Sequence, residues 1–291
     1  MTKLNKLPAP TYGWLGVNYA ERELSDNKAE LVSVSEGSLV KADITSDARY
    51  ELSAQENKEL TVIMYISDED KRVDVSAKAE SGSKLTVVQV FDKGARTAAQ
   101  LTADIADSAE LRLIQLYIGG ADTVSEINPV LSGYSSSFKA DIGYLLEGED
   151  KLDINLIADH KGRKSISEIN VSGVLADTSD KTFKGTIDFK NGASGAKGAE
   201  KEDVLLLSEK VRNKTVPLIL CAEEDVEGSH GASIGRINEE HIFYMQSRGI
   251  PEDKIYELTA RSKTDRIIKL IGDEETVSRI NKTLGRSDDD E

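Results

Sequence analysis

Short runs of alternating apolar and polar residues follow one another along most of the chain. Leu60-Thr61-Val62-Ile63-Met64-Tyr65-Ile66, Arg72-Val73-Asp74-Val75-Ser76-Ala77, Leu85-Thr86-Val87-Val88-Gln89-Val90-Phe91, Leu111-Arg112-Leu113-Ile114-Gln115-Leu116-Tyr117 and Leu152-Asp153-Ile154-Asn155-Leu156-Ile157 are examples. A period of two, with β-branched enrichment and polar turns between the runs, predicts strands. More than a dozen such runs lie between about Glu30 and Cys221. Between Thr11 and Val216 proline occurs once, at Pro129, while Gly, Ser, Asp and Asn punctuate every few residues. Ala98 to Ala109 reads equally as a short helix or as another strand.

The period changes beyond residue 236. Asn238 is placed to cap a helix whose first turn carries Glu239 and Glu240, favourable at the positive end of the dipole. Ile242, Phe243 and Met245 follow, and Arg248-Gly249 reads as the stop. Pro251 opens a second helix with Glu252 and Asp253, then Ile255, Leu258, Ile267, Ile268 and Ile271, ending at Gly272. Asp273 caps a third helix with Val277, Ile280 and Leu284 before Gly285. The acidic tail Ser287 to Glu291 is expected to fray.

A strand train of this kind builds a sandwich, a barrel or a solenoid. Aromatics are scarce at 5%, whereas sandwich cores lean on aromatic anchors. Asn191-Gly192 is the single strong hairpin signal. Small and branched residues fill the apolar positions, as the coils of a narrow prism require. No fixed-period repeat accompanies these features. The expected architecture is mostly β: a parallel β-helix over 30–235, a terminal segment over 1–29 and a small helical domain over 236–291. Trp14 and Leu15 are expected to plug the first coil as a cap, the alternative for Trp14 being an anchor for a partner.

The 52 acidic and 37 basic residues leave a net charge of −15, which repels phosphate backbones and argues against nucleic acid as a partner. The densest basic stretch, Lys161 to Lys164, holds only three cations. No run approaches 18 apolar residues and the first six lack an apolar core, so neither a membrane span nor a secretory signal is expected. With Cys221 alone, no internal disulfide or multi-thiolate site can form. A cytoplasmic protein is expected.

Few motifs carry chemistry. Gly231-Ala232-Ser233-Ile234-Gly235 matches G-x-S-x-G, but acidic residues precede it and only His241 follows. Gly192-Ala193-Ser194-Gly195-Ala196-Lys197-Gly198 lacks the phosphate-loop register, so this chain is not expected to bind ATP. His160, His230 and His241 show no metal-ligand spacing. Cys221 alone fits a small buried hydrophobe, and His230 a turn residue bonded to backbone. Brought together with Glu223, Glu224, Asp225 or Glu227, they would suit iron or zinc.

The stretch from Pro217 through Glu223-Glu224-Asp225-Val226 and Gly228-Ser229-His230-Gly231-Ala232-Ser233-Ile234-Gly235 resembles the signature of the SufB/SufD family. Glu239-Glu240-His241-Ile242-Phe243-Tyr244-Met245-Gln246-Ser247-Arg248-Gly249-Ile250-Pro251 is similar to the family's E-E/D-x-L-F-Y-L-x-S-R-G-I-P. Gly173-Val174-Leu175-Ala176-Asp177 and Phe183-Lys184-Gly185-Thr186-Ile187 look like its paired G-V-L-x-D and F-x-G-x-I strands. The likeness is specific from about His160 to Ile271. It implies a right-handed parallel β-helix and a non-catalytic scaffold of SUF iron–sulfur cluster assembly. Such a subunit pairs through its β-helix with a B-type or identical subunit and docks the SufC ABC-type ATPase on its C-terminal helices. Ile242, Phe243, Ile255 and Leu258 are the candidate ATPase contacts. His230 aligns with a histidine implicated in cluster assembly and, with Cys221, is the candidate ligand of a transient cluster at the subunit interface. Gly231 stands where B-type proteins carry glutamate, and Glu200-Lys201-Glu202-Asp203 lacks the B-type cysteine. Both departures point to a D-like subunit, although Gly228 replaces a cysteine common in D-type proteins. The competing reading is a stand-alone β-helix, either a polysaccharide-active enzyme or a structural solenoid.

Overall fold

A computed structural model describes residues 2–23, 26–67, 70–92, 96–120 and 122–286. The acidic tail 287–291 lies outside the described residues. A hairpin of β1 (Thr2–Leu4) and β2 (Ala20–Arg22) comes first, with a single 3-10 turn at Gly13–Leu15 in its loop. Sixteen strands follow: β3 (Leu31–Val34), β4 (Leu39–Ile44), β5 (Ala48–Ala54), β6 (Glu59–Ser67), β7 (Lys71–Ala79), β8 (Lys84–Asp92), β9 (Arg96–Ile105) and β10 (Glu110–Ile118), then β11 (Asp122–Leu131), β12 (Ser137–Leu146), β13 (Lys151–His160), β14 (Ile166–Leu175), β15 (Asp180–Phe189), β16 (Ala196–Leu206), β17 (Arg212–Cys221) and β18 (Val226–Gly235). They alternate between two eight-stranded parallel sheets, one of even and one of odd strands. The result is a parallel β-solenoid of about seven turns. The ambiguous stretch near Ala98 is strand β9.

The register explains why no repeat is legible. Along the even sheet Leu39 pairs with Thr61, Leu60 with Leu85, Leu85 with Leu111, Leu111 with Phe138, Phe138 with Ser167 and Ser167 with Gly198. The successive offsets are therefore 22, 25, 26, 27, 29 and 31 residues. The last step, from Gly198 to Gly228, is 30, so coil length changes from turn to turn and like positions stack in space without recurring at one period in sequence.

The lumen holds the main core, from Ile44 to Val204. Within it Phe91 and Tyr117 stack at 4.5 Å, and the Gln115 amide donates to Gln89 Oε1 at 2.7 Å. A second core lies outside, on the outer face of the even sheet. There Ile63, Tyr65, Val88, Val90, Ile114, Leu116 and Ile118 meet Ile267, Ile268, Ile271 and Ile280. The near-continuous apolar run of β6 follows from this, because both of its faces are covered.

The covering elements are α1 (Glu239–Ser247), α2 (Glu252–Ile268) and α3 (Glu274–Thr283). Asn238 and Asp273 cap α1 and α3 as expected, accepting from the amides of Glu240 and Thr276. Helix α2 crosses β14, β12 and β10, and α3 reaches the early coils. Lys41 of β4 lies 2.7 Å from Asp273, and the Arg279 guanidinium sits 3.5 Å over the Tyr65 ring while pairing with Asp43. The helical segment thus runs back along the flank of the solenoid.

The N-terminal segment does not plug the first coil. Leu31, Val32 and Leu39 of that coil are exposed, and Trp14 is 82% exposed, stacked only on Tyr12 at 6.4 Å. Residues 2–22 instead lie across the outer face of the odd sheet. Asn5 Nδ2 donates to Asp153 Oδ1 at 2.7 Å, Asn155 Nδ2 donates to the Lys6 carbonyl at 3.2 Å, and Lys184 Nζ donates to the Asn5 carbonyl at 3.0 Å. The contact is polar: the outer face of β13 and β15 buries Asn155 and Lys184, and the strap supplies a backbone carbonyl to each, while Lys184 also pairs with Asp153 of β13 at 2.7 Å.

Candidate functional site: the open last coil

The solenoid ends at β17 and β18, the terminal strands of their sheets. Each therefore presents one row of unpaired backbone groups. Arg212 and Ala222 donate their amides to Ser179 and Phe189 O, so alternation turns the odd-numbered amides of β17 outward. Pro217 occupies one of those outward positions, where a missing N–H costs no ladder bond. Asn213 to Leu220 are half-buried, and β18 is exposed along nearly its whole length.

His230 and Cys221 both belong to this coil but to different sheets. His230 lies within β18, in register with Glu200 of β16, and faces the mouth of the lumen. It is a strand residue, not the turn residue that the glycines around it suggest. Cys221 closes β17 in register with Phe189 and is exposed, so it is no buried hydrophobe. Among the described residues no three His, Cys, Asp or Glu side chains are grouped to hold a metal. Gly228 lies tight against the opposite wall: a Cβ there would come 3.0 Å from Ile219 and 3.1 Å from Phe189. Ser233 of G-x-S-x-G sits in mid-strand, without the turn a nucleophile elbow requires.

Beneath the mouth lies a buried polar group that sequence reading passes over. Lys181 Nζ pairs with Glu202 and donates to Thr215 Oγ1 at 3.2 Å, and Thr215 donates to Glu202 Oε2 at 2.7 Å. Glu200 shares the lumen face and packs over Gly185, whose missing Cβ would lie 2.0 Å from its Oε2. Burial, helped by the Glu202 charge and opposed by Lys181, pushes the Glu200 carboxyl up to about 7. The available signal was phase: Glu200 and Glu202 share the parity of Ala196 and Val204, so they point inward. His160 is a core residue, bonded to Ser165 Oγ and Ser167 Oγ at 2.8 Å each and tilted on Phe189. Burial lowers its imidazole to about 4.

The four residues expected to meet an ATPase divide. Phe243 is 73% exposed, Leu258 is exposed and Ile242 half-buried, while α1 contributes no buried residue. Ile255 is wholly buried and cannot be a contact. It is not part of the stripe that packs on the sheet: at 3.6 residues per turn it falls on the other side of α2 from Thr264, Ile267 and Ile268.

Fold and site together define a parallel β-solenoid with an unpaired last coil and a helical flank whose first helix is bare. Residues 39–262 match the SUF system FeS cluster assembly SufBD core domain, and the chain belongs to that family. It is 33% identical over 133 residues to the iron–sulfur cluster assembly protein SufD of Bacillus subtilis, covering 46% of this chain and 30% of that protein. A chloroplastic SufBD family protein of Arabidopsis thaliana is 28% identical over 148 residues, covering 51% and 27%. A SufBD family protein of Pyrococcus horikoshii is 29% identical over 201 residues, covering 64% and 41%. The matches span less than half the length of these relatives. Within that family the chain is SufD-like in sequence. Among the described residues no helix is long and apolar enough to cross a membrane.

Proposed function

We propose that the chain is a non-catalytic, D-like scaffold subunit that pairs through its open coil with a B-type or identical subunit and presents α1 to a SufC-type ABC ATPase. The observation that carries this reading is the unfinished solenoid: β17 and β18 keep unpaired edges beside a half-open lumen, which a second solenoid would cover. His230 and Cys221 stand apart, so a cluster carried at the interface as cargo takes its remaining ligands from the partner. Helix α1 offers the ATPase Phe243 and Tyr244, with Leu258 beside them on α2. Nucleotide-driven movement of the ATPase would act on these helices and, through the Asp203–Lys263 pair joining β16 to α2, on the mouth near His230. Such movement shifts the mouth only if its two states bind the ATPase unequally.

The test is co-expression with the SufC-type and B-type proteins of the same organism, followed by light scattering. A stable complex is expected, and Phe243→Ala with Leu258→Ala should weaken ATPase capture by about tenfold or more, as loss of exposed apolar anchors does. His230→Ala should leave the complex intact and lower its cluster yield. A chain that remains monomeric beside both proteins would return the stand-alone solenoid to first place.

A further inference from the structure

The N-terminal hairpin advances across the odd sheet toward the open end. Leu4 lines a small cavity together with Ala98, Ala99 and Val124 of β9 and β11, Asn5 bonds to Asp153 of β13, and the Asn5 carbonyl takes the Lys184 ammonium of β15. The hairpin is still paired at Leu7, whose amide donates to the Asn18 carbonyl, and Asn18 Oδ1 accepts from the Thr11 amide at 2.7 Å. Leu7 and Val17 are buried, while Tyr12 and Trp14 beyond them are stacked and exposed. In this direction only β17 remains.

We propose that residues 8–16 form a clasp that closes over a second copy of this chain seated on the open coil. The proposal rests on the open-coil reading above and names a contact within it. Charge selects the occupant. The chain is 31% charged and carries −15 overall, yet residues 7–17 contain no charged side chain, and neither do residues 215–222 of β17 and its exit. Two acidic copies meet with least repulsion where both surfaces are neutral. The outward positions of β17 complete the match. Register places Val216, Leu218 and Leu220 beside Lys184, Thr186 and Asp188, so the outer face turns from polar to apolar at the last strand. About a two-fold axis each clasp would reach the partner's apolar stripe, an isologous contact. Trp and Tyr are the side chains that most often anchor such contacts.

Trp14 is the only tryptophan, so its fluorescence reports on the clasp directly. The purified full chain, Trp14→Ala and the edge variant Ile234→Asp are compared by sedimentation across a concentration series. Wild-type emission and acrylamide quenching are followed in parallel, and thermal melting checks that the exposed substitutions leave the fold intact. Association with a blue shift and reduced quenching is expected, as is an association constant about tenfold weaker in Trp14→Ala. If wild type associates and Ile234→Asp does not, while Trp14 emission stays constant and Trp14→Ala matches wild type, the clasp is overturned and open-coil pairing stands. A wild-type chain that stays monomeric throughout overturns the clasp as a contact between copies, whereas pairing with a B-type subunit is judged by the co-expression test.

Discussion

Glu200 shows how one residue's chemistry depends on a neighbour that sequence does not reveal. Its folded carboxyl titrates near 7, above the usual 4.5, so between those values the native protein keeps a proton that the unfolded chain has released. Stability therefore falls as pH rises through that window. His160 works in the opposite sense: held near 4 against a usual 6.5, it refuses a proton that the unfolded chain takes up, so stability falls as pH drops through 6.5. Glu200→Gln removes the first effect alone. Its urea midpoint should gain on wild type between about pH 5 and 7.5, and parallel curves for the two proteins would refute the assignment. Gly173 was legible as a motif residue, but its reason was not. A Cβ there would stand 2.1 Å from the buried Tyr144 ring of the coil below.

Strands and caps were the most legible elements, because period two and a capping side chain are local. Asn238 and Asp273 cap where their sequence context places them. What the helices pack against was not local. Lys41 meets Glu275 across 234 residues and Arg279 meets Asp43 across 236. Ile255 was read as a partner contact for the same reason, since an apolar position on a helix does not say whether the chain itself or a partner covers it, and here the chain does. Ile267 is the sharpest test of helix docking: it sits over Gly143, whose Cβ would lie 2.9 Å from it. Ile267→Ala should cost about 2–5 kcal/mol, as other buried large-to-small changes do. Hydrogen exchange should locate the loss in α2 and α3 while the lumen strands keep their protection; uniform loss would mean that the helices and solenoid unfold as one unit.

At the scale of the whole molecule, pairing opposes charge. Each copy carries −15, so two copies repel at distance even where their contact surfaces are neutral. Self-association should therefore tighten as salt rises from about 0.05 to 0.3 M, because the Debye length shrinks to below about 10 Å. Sedimentation at those salts checks this, and weakening by salt would point to an interface built on ion pairs.

Sequence by itself determined the solenoid class, the switch to helices, their caps and the family, because these rest on period, local hydrogen bonding and contiguous motifs. Only tertiary structure decided where the strap lies, which helix face stays bare and that the last coil is left uncovered. Those outcomes depend on contacts between residues far apart in sequence and on coils whose lengths change from turn to turn. The strap is the plainest case. Trp14 looked like a plug because it is large and apolar, but the N-terminus lies across the sheet instead, where the carbonyls of Lys6 and Asn5 accept from the buried Asn155 and Lys184.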